Sequence, residues 1–477
     1  MTKVSRQPAA VLDSFAPMDE ERADRLLAES REVFPWKIVV LDDDPTGVQT
    51  VHGVSVYTDW EEDTVKAGFL EENPMFFILT NSRSFSRKTT EEVHELIAAR
   101  VEKAGRETGR QYILISRGDS ILRGHYPQET ETLKRGLEKA GQLTFDGEIF
   151  CPFFPEGGRY TVGNIHYVKE GDVLTPAGLT EFAQDKTFGF QSSALPDYIE
   201  EKTAGRYRAE ECICITLEDL RGFRIEKIEE QIQAAENFQK IVVNAVCYGD
   251  LKVFCVAFLR AVRRGKRFLV RSAAAFPKVL AGVEERPLLT RADLVREEEG
   301  NGGIVLVGSH VKRTTRQLEC LRHSARKPVF MEFDVNTWFR KGGLLQEQQI
   351  IVQRTEELIS SGSTVVIYTS RKLLVPDTQD RDEILRASVE ISDAITGIIG
   401  KLTVRPRFII AKGGITSSDV GTKALRVRRA DVIGQVKKGI PVWMTGKESR
   451  FPGMPYIIFP GNVGEESDLR DIVEQLM

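Results

Sequence analysis

The sequence lacks the features that mark a membrane, secreted or nucleic-acid-binding protein. No apolar run approaches the roughly 20 residues that are needed to span a bilayer. The first 35 residues carry too many charges for a signal peptide. Neither charge is in large excess, since 66 Lys and Arg stand against 70 Asp and Glu, which argues against a nucleic-acid partner. We therefore expect a cytoplasmic protein that binds neither membranes nor nucleic acid.

Cysteine is scarce, and the best-known nucleotide-binding motifs are missing. The six cysteines are scattered, mostly within apolar runs, so we expect buried thiols in a reducing compartment. No Cys and His spacing resembles a zinc site. The chain has neither a Gly-x-x-x-x-Gly-Lys-Ser/Thr run nor a Gly-x-Gly-x-x-Gly run. Any nucleotide must therefore bind in another way.

Strand-like and helix-like segments alternate along the 477 residues. This alternation predicts mainly parallel sheets that are covered by helices. Helices are predicted, for example, at 89–104 and 224–235, and in the second series at about 312–325, 346–360, 382–400 and 418–427. Strands are predicted at 37–41, 53–58, 76–80, 112–116, 148–152, 241–245 and 268–270, and then at 304–307, 329–333, 364–369, 408–412 and 441–444.

A charged, glycine-rich stretch divides the two series of strands and predicts two α/β domains. The boundaries are a leader helix over 1–35, a first domain over 36–285, an exposed linker over 286–303 and a second domain over 304–477. Ligands of open α/β sheets bind beyond the carboxyl ends of the strands. We therefore expect an active site in the cleft between the two domains.

Four loops of the predicted first domain carry residues suited to chemistry. Asp42, Asp43 and Asp44 follow the first strand, and adjacent carboxylates need a cation, a hydroxyl or an Arg to offset their repulsion. Residues 80–83 end in an Arg, which can hold a carboxylate by two hydrogen bonds. Residues 116–125 combine Arg, Asp, Ser and His, and residues 155–160 hold a glycine pair, with Asn164 and His166 nearby. The alternatives are a helix-capping acidic turn and ordinary solvated loops.

Three loops of the predicted second domain suit a phosphate group. Residues 308–310 and 412–419 each lie between a strand and a helix, and residues 459–464 form a glycine turn. Glycine, serine and threonine at such places expose backbone N–H groups and hydroxyls. The alternatives are simple helix capping and an ordinary turn.

Taken together and in order, these segments resemble the four-carbon acid sugar kinase family over about residues 36–465. The matching motifs are Leu-Asp-Asp-Asp-Pro-Thr-Gly at 41–47, Asn-Ser-Arg at 81–83, Gly-Asp-Ser-Ile-Leu-Arg-Gly at 118–124 and Phe-Pro-Glu-Gly-Gly-Arg-Tyr at 154–160, followed by Gly-Ser at 308–309, Lys-Gly-Gly-Ile-Thr-Ser-Ser-Asp at 412–419 and Arg-Phe-Pro-Gly at 450–453.

The resemblance implies a sugar-acid-binding domain followed by a nucleotide-binding domain. It implies transfer of phosphate from ATP, with Mg²⁺, to the terminal hydroxyl of threonate, erythronate or an oxo-tetronate. The sugar acid would contact Asp43, Asp44, Arg83, Arg117, Gly118, Asp119 and Ser120, with Asp119 or Asp44 taking the proton. ATP would contact Ser309, Gly413, Gly414, Ile415, Thr416 and Gly461.

Two departures from the resembled pattern bear on this assignment. Arg117 stands where many members have Lys, and Ile415 stands where many have an acid, so the ligands of Mg²⁺ stay undetermined.

Two rival functions remain open. Asp42-x-Asp44-x-Thr46 fits the signature of haloacid-dehalogenase-like phosphatases, and a non-catalytic ligand-binding relative is the other alternative. The identity of the acid and a homodimeric state are also left open.

Overall fold

The computed structural model describes residues 4–295, 300–371, 381–461 and 463–477, and the chain divides into two compact units. Unit 1 comprises Met1–Gly47 and Asp59–Glu285, and unit 2 comprises Val48–Thr58 and Arg286–Met477. Each unit has a sheet with helices, which confirms the predicted fold class of two α/β domains with mainly parallel sheets.

The strands, in chain order, are β1 (Gln7–Pro8), β2 (Lys37–Asp42), β3 (Val54–Tyr57), β4 (Met75–Leu79), β5 (Tyr112–Arg117), β6 (Gly147–Cys151), β7 (Arg159–Val162), β8 (Ile165–Glu170), β9 (Val173–Pro176), β10 (Ile213–Ile215), β11 (Gln239–Val243), β12 (Phe268–Ser272), β13 (Ile304–Val307), β14 (Val329–Phe333), β15 (Val365–Thr369), β16 (Ile409–Lys412), β17 (Arg429–Lys437), β18 (Ile440–Thr445) and β19 (Pro455–Phe459).

The α-helices are α1 (Glu20–Glu32), α2 (Glu62–Leu70), α3 (Arg87–Thr108), α4 (Gln128–Gly141), α5 (Leu195–Lys202), α6 (Leu217–Arg221), α7 (Ile225–Gln233), α8 (Tyr248–Arg263), α9 (Ala275–Ala281), α10 (Arg291–Leu294), α11 (Lys312–Arg322), α12 (Gly343–Ser360), α13 (Arg381–Lys401), α14 (Gly414–Asp419) and α15 (Asp468–Leu476). A π-helical turn, Val420–Ala424, continues α14.

Unit 1 is built on a parallel sheet with the strand order β10-β11-β6-β12-β5-β2-β4. Every residue of β2, β4, β6 and β12 is buried, as expected for a parallel sheet that is covered on both faces. A smaller antiparallel sheet has the order β1-β9-β8-β7. Because the strands of the main sheet run the same way, the loops that follow β2, β4, β5 and β12 meet at one edge.

Helix α3 shows how the local sequence places a helix against this sheet. Ser86 caps its start by accepting a hydrogen bond from the Thr89 N–H at 3.1 Å, and Gly109 ends it with a φ of 65°. Ile97, Ala98 and Val101 are buried and recur at helical spacing, which gives the helix one apolar face.

Unit 2 has the strand order β3-β17-β18-β19-β16-β13-β15-β14. The five strands from β19 to β14 are parallel, whereas the pairs β3–β17, β17–β18 and β18–β19 are antiparallel. The strand at 53–58 is predicted to belong to the first domain. Its pairing with β17 instead makes it part of unit 2.

The segments before and between the predicted domains are more ordered than expected. The leader region holds a helix only over α1, and residues 7–14 form β1 and a 3₁₀ turn. Leu289, Leu294 and Val295 are buried in the core of unit 2, so that part of the predicted linker is not exposed. Each of them carries a large apolar side chain, and burying it is favourable even though the surrounding stretch is highly charged. Residues 296–299 of the linker lie outside the described residues.

The cysteines are free thiols. Cys151 and Cys255 are buried as expected, whereas Cys212, Cys214, Cys247 and Cys320 are only half-buried. Within the described residues, no helix is long and apolar enough to cross a membrane.

Candidate active site

The carboxyl ends of β2, β5 and β12 lie side by side in unit 1 and bring two of the predicted segments together, the acidic cluster after β2 and the segment 116–125. Asp42 is in register with Arg117 on β5, and Arg117 is in register with Ser272 on β12. The Asp43 N–H donates to the Arg117 carbonyl at 3.3 Å, and the Gly118 N–H donates to the Ser272 carbonyl at 2.9 Å. The loops after these strands are therefore tied to one another by backbone hydrogen bonds.

Arg83 offsets the charge of the acidic cluster. Its Nη2 and Nε donate to the two carboxylate oxygens of Asp43 at 2.7 and 3.2 Å, and its Nη1 lies 3.3 Å from Asp44. This is the compensating Arg that three adjacent carboxylates require. Asn81, two residues earlier, adopts a left-handed conformation with a φ of 55°, which turns the chain sharply after β4.

Arg117 binds the other side of the cluster, with Nη1 at 3.2 Å from Asp42 and 3.5 Å from Asp43. Burial raises the pKa of Asp42 to about 7 despite Arg117, and burial also raises the pKa of Asp43. Burial acts in the same direction on Asp44, but Arg83 and Thr46 together bring its pKa below the usual value. Neighbouring carboxyl groups thus differ in how readily they hold a proton.

The loop at 118–124 presents Asp119 beside Arg123, whose Nε donates to its carboxylate at 2.8 Å. Burial disfavours the charge of Asp119, yet Arg123 and Arg83 hold its pKa well below its ordinary value. The next residue, Ser120, is fixed through its carbonyl, which lies 2.8 Å from Nε2 of His166. His166 is buried, which lowers its pKa to about 4, so it acts here as a neutral hydrogen-bonding group.

A buried hydrogen-bond network beneath this loop was not predicted. Arg271 Nη1 donates to Ser116 Oγ at 2.8 Å and to Glu129 at 2.5 Å. A Cβ on Gly118 would overlap the Arg271 guanidinium, and one on Gly124 would lie 3.1 Å from its Nη2, so both glycines are needed there. Since Arg271 directly follows the predicted strand at 268–270, the carboxyl-end rule could have identified it.

The fourth predicted loop of unit 1 is anchored through its acid rather than its glycine pair. Glu156 accepts a hydrogen bond from the Tyr248 hydroxyl at 2.6 Å. Arg159 begins β7 and is one of the groups that lower the pKa of Asp119. Asn164 lies four residues after this loop in the sequence, and its backbone N–H donates to the side-chain oxygen of Asn244 at 2.7 Å.

In unit 2, the loops after β13 and β16 pack against each other through small residues. Gly413 has a φ of 129° and a ψ of 144°, which only glycine adopts readily, and a Cβ there would lie 3.1 Å from that of Ser309. A Cβ on Gly308 would overlap the hydroxyl of Thr416. The structure therefore brings four of the predicted ATP contacts together: Ser309, Gly413, Gly414 and Thr416.

Gly461 and Ile415 complete this group. The Thr314 hydroxyl lies 3.2 Å from Ser309 Oγ and donates to the Gly461 carbonyl at 3.1 Å. Thr314 thus links the glycine turn to Ser309. Asn462 of this turn lies outside the described residues. Ile415 is 66% exposed at the edge of a cavity of about 180 Å³, which His310, Thr369 and Ile395 also line. Its walls combine apolar side chains with hydroxyls.

Lys412 holds the two glycine loops together from below. It is fully buried, and its Nζ donates to the Pro460 carbonyl at 2.6 Å and lies 3.7 Å from the centre of the Phe459 ring. Burial lowers the pKa of Lys412 well below its ordinary value. It therefore fixes the relative position of the Gly413 and Gly461 loops.

Comparisons with known proteins match each half of the chain to a different domain family. The model of a family described as the sugar-binding N-terminal domain matches residues 38–280, which is more than half of the chain. This chain belongs to that family. In addition, residues 304–469 match the family described as the nucleotide-binding C-terminal domain. We call unit 1 the sugar-binding domain and unit 2 the nucleotide-binding domain from here on, although residues 48–58 of unit 2 fall within the range of the sugar-binding match.

Two solved structures share the fold of this member of the sugar-binding family. A Salmonella typhimurium LT2 protein, provisionally designated a tRNA synthase, is 18% identical, with a TM-score of 0.64 over 92% of this chain and 98% of its own. A Haemophilus influenzae protein of the DUF1537 family is 17% identical, with a TM-score of 0.58 over 92% of this chain and 100% of its own. No curated protein has a significantly matching sequence. At these identities the structures show the fold alone.

The geometry of the sugar-binding domain gives no support to the phosphatase alternative. That chemistry needs Asp42 as a nucleophile that is open to a phosphate. Asp42 is only 2% exposed and is paired with Arg117, and a Cβ on Gly47 would overlap its carboxylate. The backbone at Gly47 thus covers the group that would have to attack.

Proposed function

We propose that this protein is an ATP-dependent kinase that phosphorylates the terminal hydroxyl of a four-carbon sugar acid, such as threonate, erythronate or an oxo-tetronate. The family match supports it, because it joins a sugar-binding to a nucleotide-binding domain. The observation that carries the proposal is the buried set of carboxyl and guanidinium groups at the strand ends of the sugar-binding domain. These groups suit a ligand that has both hydroxyls and a negative charge.

The nucleotide-binding domain offers features that fit the phosphates of ATP. Gly308, Gly413 and Gly461 pack closely against Ser309 and Thr416, whose hydroxyls lie beside them. ATP supplies the phosphoryl group. The described residues contain no group of three or more His, Cys, Asp or Glu arranged to hold a metal. Mg²⁺ would therefore depend largely on phosphate oxygens and water, and it stays a prediction.

The residues of the sugar-binding domain would position the acceptor hydroxyl and receive its proton. Asp119 and Asp44 are the predicted bases, although the pKa of each is below its usual value. A weak base is sufficient, because phosphoryl transfer has a loose transition state in which the hydroxyl loses its proton late. Each carboxylate can still orient the hydroxyl by accepting its hydrogen bond. Direct transfer also requires that the hydroxyl and the γ-phosphate meet during turnover.

The test is ATP consumption over a panel of four-carbon sugar acids and their oxo forms, with the phosphorylated product identified by mass spectrometry. Erythritol and threitol are matched controls that lack the carboxylate. We expect turnover with at least one acid and none with the polyols. Release of phosphate from a phosphorylated acid without ATP, or binding without any turnover, would contradict the proposal.

Substitution of Asp119 tests its role within this reaction. We expect Asp119→Asn to lower kcat by about 100-fold or more, the usual scale for losing a positioned acid–base group. Asp185→Asn is the matched control, because Asp185 lies 3.9 Å from the same Arg123. If both variants lose activity equally, Asp119 acts only by holding Arg123. Full turnover by both Asp119→Asn and Asp44→Asn would remove both residues from the base role.

A further inference from the structure

Two buried polar atoms at the ends of neighbouring strands have no hydrogen-bond partner within the described part of the chain. They are Nε of Arg117 on β5 and Oγ of Ser272 on β12. Both residues are only 4% exposed. Buried polar atoms in folded proteins almost always have partners, so two unpaired ones at one place point to a ligand.

The two side chains face the same way. Arg117 and Ser272 are in register across a parallel pair of strands, and register partners project from the same face of a sheet. Arg117 Nη1 is anchored by Asp42 at 3.2 Å, which fixes the guanidinium and leaves its Nε edge unpaired. The hydroxyl of Ser272 can rotate to donate. The strand ends therefore present two hydrogen-bond donors beside each other.

A second guanidinium is held at the same place. Arg271 and Ser272 line a small cavity that Asp119 also borders. Glu129 and Ser116 both accept hydrogen bonds from Arg271 Nη1, which fixes its orientation, while its Nη2 lies close to the loop at 118–124. The subsite thus has a second guanidinium, paired with Glu129, whose position is fixed before a ligand binds.

The reduced charge of Asp42 beside these donors favours an anion. Burial raises the pKa of Asp43 and raises that of Asp42 to about 7, so Asp42 carries only part of its negative charge near neutral pH. The guanidinium groups stay charged. The charged side chains that interact at this edge include Asp42, Asp43, Asp44, Asp119, Asp185 and Glu129, and Arg83, Arg117, Arg123, Arg159 and Arg271.

We infer that Arg117 and Ser272 bind the carboxylate of the sugar acid, with Arg271 behind them as a fixed positive charge. This inference rests on the proposed function for the identity of the acid. The resemblance implied that Arg83 contacts the sugar acid. In the structure Arg83 instead donates to Asp43 and Asp44 and so balances their charge. Ser272 and Arg271 become binding residues that no sequence motif indicated.

The experiment is calorimetric binding of threonate and erythronate to the full chain without ATP, with threitol and erythritol as the matched neutral ligands. We expect Ser272→Ala to weaken binding of the acids by about 10-fold to 100-fold, as for a lost hydrogen bond to a charged group. Binding of the polyols should not change. Ser272→Cys, whose thiol is a poor donor, should show the same loss. Ser30→Ala, on helix α1, is the control for the substitution itself.

Several outcomes would overturn the inference. One is unchanged affinity of both Ser272 variants for the acids, and another is an equal loss for acids and polyols. Absence of acid binding by the wild-type protein would also overturn it. The kinase proposal is judged separately by ATP turnover. Acid binding that depends on Ser272, together with no turnover on any acid, would refute the kinase and leave the carboxylate subsite in place.

Discussion

At the scale of single residues, Asp42 shows how the fold alters an ordinary carboxyl group. Burial raises its pKa from 3.8 to about 7; Arg117 opposes the shift, and Asp43 and Asp44 add to it. Between these two pH values the folded protein binds the proton more tightly than the unfolded chain does. The contribution of Asp42 to stability is therefore greatest at low pH and falls as the pH rises towards 7.

Asp42→Asn should remove this pH dependence. As the pH rises from 4 to 7, the wild-type protein should lose up to about 1.4 kcal/mol of stability per pH unit more than the variant loses. Thermal unfolding of both proteins at pH 5, 6, 7 and 8 measures the difference. Asp13→Asn, at an exposed position, is the control. Parallel curves for wild type and Asp42→Asn would show that Asp42 does not titrate in this range.

Part of the site could be read from residue types, and part could not. The acidic cluster, Arg117 and the loop of Asp119 were predicted because charged residues follow apolar strands. The pairing of Arg83 with Asp43 was not predicted, since it depends on a three-dimensional turn at Asn81. The unpaired Ser272 hydroxyl is also invisible in the sequence, because a serine after a strand is common and its lack of a partner is a property of packing.

At the scale of elements, the loop between β16 and α14 depends on the backbone of Gly413. Its φ of 129° is strained for any other residue, and an added Cβ would meet Ser309. We expect Gly413→Ala to weaken ATP binding at least 10-fold and to leave binding of the sugar acid unchanged. Fluorescent ATP analogues and calorimetry measure the two affinities.

The matched control for this substitution is Gly453→Ala in the same domain. Gly453 has a φ of 62°, but a Cβ there would meet nothing within 4 Å. It should lose about 1 kcal/mol of stability from backbone strain and keep its affinity for ATP. Equal effects of the two variants on ATP binding would mean that strain, rather than the shape of the loop, explains the result.

The elements themselves were predicted where the sequence is strongly apolar. The buried strands β2, β5 and β13 lie close to their predicted bounds because each is a short apolar run. The long strand β17 was missed, since its residues alternate between more and less buried positions and include several charges. Helix α8 was also not predicted, because its continuous apolar run from Val253 to Leu259 is as typical of a buried strand as of a buried helix.

At the scale of the whole molecule, the nucleotide-binding domain is assembled from two separated pieces of chain. Strand β3 pairs antiparallel with β17 inside this domain, although about 230 residues of the sugar-binding domain separate β3 from the rest of it. No local pattern could reveal this, since a four-residue strand carries no sign of which sheet it joins. The predicted boundary at 286 therefore leaves out one strand.

This assembly leads to a prediction about truncation. A chain of residues 286–477 alone would leave the N–H and C=O groups on the β3-facing edge of β17 unpaired, and a long open edge promotes aggregation. We expect it to unfold at a lower temperature and to aggregate more than a version with residues 48–58 fused ahead of it through a flexible linker. Light scattering and thermal unfolding compare the two.

Val56, which is 2% exposed, provides the control. Val56→Asp in the fused segment should abolish the gain in stability that the segment gives. Rescue by the altered segment would show that added length, and not strand pairing, protects the domain.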